Sequence, residues 1–147
     1  MYVPHYDAIL HAIDTSREEL KGKTDINIPI SLFKFLLQSA LGHAEFNLPG
    51  YLTSNRDIHD AAKSGKVPDP KAHYCSFGFF EGRHGATPAV DEAWYRRTYP
   101  DVAAAIAKGQ LSSAAEHFNA IGAQEFRSPS AGFQSDAIAW KRAILAS

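Results

Sequence analysis

Apolar positions along this chain recur every three to four residues rather than every second one, so the pattern predicts helices and almost no strand. Tyr6, Ile9, Leu10, Ile13 and Leu20 form one such stripe, with Asp7, Asp14, Glu18 and Glu19 on the far side. Arg17 interrupts the stripe, and Gly22 is placed to take a left-handed stop. The predicted Tyr6 to Leu20 helix either docks on its own chain or pairs with another copy. Ile26 to Pro29 reads as extended, because proline disfavours helix at the residue before it. Ser31 then caps a predicted helix through Phe33, Phe35, Leu36, Leu37 and Leu41, ending at Gly42. Apolar residues cover so much of its circumference that it should be central in a core or covered by another subunit.

From Tyr51 onward the pattern runs twice. Tyr51 falls on Tyr95, Asp57 on Asp101, Gly65 on Gly109 and His73 on His117, then Gly78 on Gly122, Glu81 on Glu125 and Arg83 on Arg127, without a gap. An internal duplication of this period predicts stacked supersecondary units. Each copy reads as three short helices. In the second, Asp91 caps a helix through Trp94 and Tyr95, Pro100 opens the next, and Gly109 stops it. Ser112 or Ser113 caps the third, which ends at Gly122. In the first copy Asp69 is the corresponding cap. Gly78 and Gly122, like Gly65 and Gly109, are expected in the left-handed region. Ser135 opens a final helix with Ile138, Trp140, Ile144 and Leu145.

The expected fold is therefore all-α: an N-terminal helical cap and oligomerisation segment (1–47), two tandem three-helix repeats in 48–134 (51–83 and 95–127), and a C-terminal helix (135–147) in one compact domain. Two small units bury little continuous core, so the N-terminal third or a second subunit must cover them, and a homo-oligomer is expected.

Composition narrows the function. The chain has 147 residues, 45% hydrophobic and 21% charged, with a formal net charge of −1. No field of one sign recruits nucleic acid or anionic lipid. The N-terminus lacks the basic and apolar regions of a signal peptide, and no stretch is apolar enough to span a bilayer, so cytoplasmic synthesis without membrane insertion is expected. The single cysteine, Cys75, removes intramolecular disulfides and multi-cysteine metal sites. His73 and His117 stand at equivalent places in separate copies, which fits a bond at a helix corner better than a shared ion; no metal or cofactor is expected. The run Gly78-x-x-x-Gly82-x-x-Gly85 lacks the Lys-Ser/Thr of a phosphate loop. No nucleophile stands beside a base, so no catalytic residue is assigned.

Two features remain as binding candidates. Arg83 and Arg127 either meet a carboxylate or sugar hydroxyl on a ligand, or pair with Asp57 and Asp101 to lock each unit. Phe79 and Phe80 either plug the space between units or form a contact surface. Trp94 either stacks a ligand or packs inward.

The pattern Trp94-Tyr95, Tyr99-Pro-Asp-Val, Gly109, His117-Phe, Gly122 and Glu125-x-Arg127 resembles a short repeat of alphaproteobacterial proteins, roughly Tyr-Leu, Pro-Asp-Val, Gly, His-Tyr, Gly, Glu-Gly-Arg. The first copy matches through Tyr51-Leu52, Asp57-Ile58, Gly65, His73-Tyr74, Gly78 and Glu81-Gly-Arg83. It departs at Arg56, where proline is usual, and the second departs at Phe126, where glycine is usual. That repeat often accompanies glycosyltransferases and surface-polysaccharide functions. The resemblance implies a non-enzymatic module binding a surface carbohydrate or an envelope partner, or alternatively a structural or adaptor subunit of a cell-surface or virion-like assembly. It carries no catalytic residue.

Overall fold

The computed structural model describes residues 2–145, and among them it is all-α, with nine short helices and no strand. The helices are α1 (Tyr6–Ala12), α2 (Ile30–His43), α3 (Leu48–Ser54), α4 (Arg56–Lys63), α5 (Pro70–His73), α6 (Glu92–Thr98), α7 (Pro100–Ala107), α8 (Ala114–His117) and α9 (Gln134–Leu145). No helix among the described residues is long and apolar enough to cross a membrane.

Local chemistry fixes most of the boundaries. Asp69, Asp91 and Ser113 each accept from the backbone N–H three residues on, at 3.0, 2.9 and 3.0 Å, and so satisfy a donor that the first helical turn leaves unpaired. Pro100 occupies the first position of α7, where its missing N–H is not needed. Gly65 and Gly109 follow α4 and α7 with φ of +74° and +71°. The next residues, Lys66 and Gln110, donate back to Ala61 and Ala105 at 2.9 Å, closing each helix end.

Four expected boundaries are corrected. The helix from Tyr6 stops at Ala12, because Asp14 turns to φ +52° and the following turn brings Arg17 back onto the Asp7 carboxylate. Helix α2 begins at Ile30 behind Pro29, with no side-chain cap from Ser31, and continues through Gly42 to His43. Helix α9 starts at Gln134, after a single tight turn over Ala131–Phe133, so Ser135 lies inside it. The last two residues of the expected 135–147 helix lie outside the described ones.

The fourth correction concerns Gly78 and Gly122, which are not left-handed. Helices α5 and α8 continue without a break into wide turns at Tyr74–Gly78 and Phe118–Gly122. Phe79 and Ala123 donate to Tyr74 and Phe118, five residues back, at 2.9 and 3.0 Å. Glycine is required there for space instead. A β-carbon on Gly78 would collide with the hydroxyl of Tyr51, and one on Gly122 with the hydroxyl of Tyr95.

Two small cores result. Tyr51, Ile58 and Ala86 are buried together, with Phe46, Leu52, Val67 and Tyr74 against them. Tyr95, Val102, Ala114 and Phe118 form the other, with Trp94, Tyr99, Ile106 and Leu111 at its edge. The N-terminal region contributes less: Leu10 is buried, whereas not one residue of α2 is. Of the two alternatives for this helix, the central place in a core is therefore corrected. Ile30, Phe33, Phe35 and Leu36 stay 67%, 47%, 53% and 53% exposed.

Candidate binding site

The polar residues at equivalent places of the sequence pattern are spent on holding the chain together. Tyr51 and Tyr95 are wholly buried, and their hydroxyls meet Nδ1 of His73 and His117 at 3.1 and 3.0 Å. Burial raises the pKa of both phenols, that of Tyr95 to about 12, so they stay neutral partners of the imidazoles.

Arg83 and Arg127 close the same halves from outside. Arg127 presents its fork to Asp101 at 3.0 and 2.7 Å and its Nε to Glu125 at 2.6 Å. Arg83 does the same with Asp57, at 3.0 and 2.9 Å, and with Glu81, at 2.7 Å. The bidentate geometry suits guanidinium and no other cation. Each arginine is held more firmly protonated, chiefly by its hydrogen bond to the aspartate, and each aspartate is held below the usual carboxylate range by the arginine. Among the described residues, every buried side-chain nitrogen and oxygen has a partner.

The remaining candidates divide into two places. Phe79 and Phe80 meet edge to face at 5.3 Å, Phe79 39% exposed and Phe80 half-buried beneath the Lys34 ammonium at 5.4 Å from its ring. Trp94 is half-buried and stands edge-on to Tyr99 at 6.0 Å, while the Arg127 guanidinium lies over the other part of Tyr99 at 4.9 Å from its centroid. Trp94 and Arg127 are thus joined through Tyr99. Arg83 belongs to the first half and does not approach them; its neighbour in the place of Tyr99 is Asn55, at 3.3 Å.

A cleft of about 490 Å³ opens beside Tyr99, with Asp101, Phe126 and Arg127 on one wall and Ile138 and Lys141 of α9 on the other. Phe126 reaches it from a left-handed residue, φ +56°, at the position where Gly82 stands at +71° in the first half. A phenylalanine in that conformation costs about 1–2 kcal/mol that glycine does not pay. Sequence reading noted Phe126 as a departure but assigned it no role. The signal was present: it aligns with a glycine that follows a helical run, the usual mark of a positive φ.

Cys75 is partly exposed, and desolvation raises its thiol above the usual value, which disfavours the reactive thiolate. Among the described residues no group of three or more histidine, cysteine or acidic side chains is placed to hold a metal ion. Comparison with protein-family models, curated proteins and solved structures finds no match to this chain.

Proposed function

We propose that this chain is a non-enzymatic binding module made of two copies of one three-helix unit, and that its ligand is a cell-surface carbohydrate or an envelope partner presenting one. The paired contacts of Tyr51, His73 and Gly78 with those of Tyr95, His117 and Gly122 support the duplicated unit. The Tyr99–Phe126 cleft carries the binding reading. The cleft joins residues on which the halves agree, Asp101, Glu125 and Arg127, with two on which they differ, Tyr99 in place of Asn55 and Phe126 in place of Gly82. An aromatic face beside carboxylates and cations suits a sugar ring, whose C–H face packs on the aromatic while its hydroxyls bond the charged rim. The resemblance to repeats found near polysaccharide functions points the same way. Calorimetry with capsular and exopolysaccharide fragments tests it: binding lost on Phe126→Ala is the expected result, and no binding at millimolar ligand ends the carbohydrate reading.

A second reading, a structural or adaptor subunit, is favoured by a separate observation. Helix α2 presents uncovered large apolar side chains from Ile30 to Leu36. A surface of that kind is ordinarily covered in an assembly.

A further inference from the structure

We infer that α2 is the interface of a symmetric dimer, in which two copies of the helix pack antiparallel about an axis between Leu36 and Leu37. This is independent of the cleft and of any ligand.

Of the apolar side chains that α2 leaves uncovered, Ile30, Phe33, Leu36 and Ala40 share one side of the helix with the half-covered Leu37, and Phe35 lies off it. This stripe carries no full charge. It also grades from large side chains at the N-terminal end to a small one at the C-terminal end. Such a gradient is complementary to itself only when reversed. Antiparallel pairing about the centre sets Phe33 of one copy against Ala40 of the other, and puts the leucines together at the axis, a knob facing a gap on both sides. Parallel pairing would crowd Phe33 against Phe33 and leave a void between the two Ala40 residues.

Electrostatics select the same arrangement. Lys34 is the one lysine, arginine, aspartate or glutamate in α2, and a parallel pair would stack it on itself. Reversal places it opposite Ser39, with the two ammonium groups separated by five residues, about 7.5 Å along the axis. Reversed helices also align their macrodipoles favourably. The second copy is a better occupant than an unrelated partner because the surface already contains both halves of the fit, as an isologous interface requires.

Area sets the strength. The exposed parts of these side chains amount to on the order of 400 Å² per copy, below the roughly 800 Å² of a standard interface. The dimer is therefore reversible, with exchange at micromolar concentrations.

Sedimentation equilibrium between about 5 and 500 µM is the first test. The mass is expected to rise from one chain to two, and Leu36→Glu should hold it at one chain with an unchanged helical circular-dichroism spectrum. A single-chain mass throughout the range, or a dimer that survives Leu36→Glu, overturns the inference. Orientation is read separately in a Cys75→Ser background. Leu36→Cys should link to itself on oxidation, whereas Ile30→Cys, which lies opposite His43, should not. Equal cross-linking of the two overturns the antiparallel arrangement.

Discussion

The hydroxyl of Tyr95 rests against the α-carbon face of Gly122, in the space a β-carbon would take, while its oxygen meets His117 Nδ1 at 3.0 Å. Tyr51 stands in the same relation to Gly78 and His73. The glycine, histidine and tyrosine are one device: the ring can be buried only because the glycine leaves room and the imidazole satisfies the hydroxyl.

Gly122→Ala should therefore destabilise by about 2 kcal/mol, as overpacking against a fixed neighbour does. Gly109→Ala meets no atom within 4 Å and should cost about 1 kcal/mol, for its backbone conformation alone. Urea unfolding of the two variants checks the order. Adding Tyr95→Phe to Gly122→Ala should recover part of the loss by removing the colliding oxygen; strict additivity would show that the oxygen is not the obstacle.

Phe126 offers a cleaner reading of backbone strain. Phe126→Gly and Phe126→Ala both remove the ring, so their difference isolates the left-handed residue. Glycine should be the more stable by about 1 kcal/mol. Equal stability in chemical denaturation would mean that φ +56° is not held in solution.

Arg127→Lys keeps the charge but cannot span Asp101 and Glu125 together or lie flat on Tyr99. A loss of about 1 kcal/mol is expected, modest because both carboxylates are largely exposed. Arg83→Lys should behave alike. A cost near zero in both would mean these forks are ornaments of the surface.

Acid should weaken the same links. Asp57 and Asp101 titrate below their ordinary value because their arginines hold them ionised. A depressed carboxylate contributes stability that is complete above its unfolded value and disappears as pH falls through the folded one. Melting temperature should therefore be level near neutrality and decline below about pH 4. Asp101→Asn should flatten part of that decline, and an unchanged slope would assign the acid sensitivity elsewhere.

Tyr99→Phe removes the oxygen that accepts the Ser128 backbone N–H at 2.9 Å, next to a serine only 1% exposed. Leaving that donor unpaired should cost about 1–3 kcal/mol. Faster hydrogen exchange confined to Ser128 and its neighbours would confirm the site; unchanged exchange would show that water replaces the hydroxyl freely.

What could be read without the structure was what neighbouring residues decide between themselves. The Asp69, Asp91 and Ser113 caps, Pro100 and the stops at Gly65 and Gly109 all act within one helical turn. Gly78 and Gly122 were misassigned because their need for glycine comes from a tyrosine far away in the chain, and nothing local distinguishes missing space from a positive φ. The pairing of Arg127 with Asp101 was legible as one of two alternatives, since recurrence in both halves favoured the fold. The Tyr99–Phe126 cleft was not, because it needs α9 brought alongside, and helix packing leaves no mark in spacing. The early end of α1 was hidden for a similar reason. Arg17 looked like a break in a stripe, whereas it is the residue that folds back to Asp7.

The wide turns at Tyr74–Gly78 and Phe118–Gly122 also govern how this chain can change length. A wide turn holds one residue more than an α-helical turn, so deleting a residue there yields an ordinary helix rather than a break. Everything beyond it would then rotate by about 100°. In the first half that swing would carry Glu81 and Arg83 away from Asp57 while leaving every helix intact. Removing a single residue from either wide turn is thus disabling although no helix is lost. A deletion through Tyr74–Gly78 should lower stability while the helical content scarcely changes.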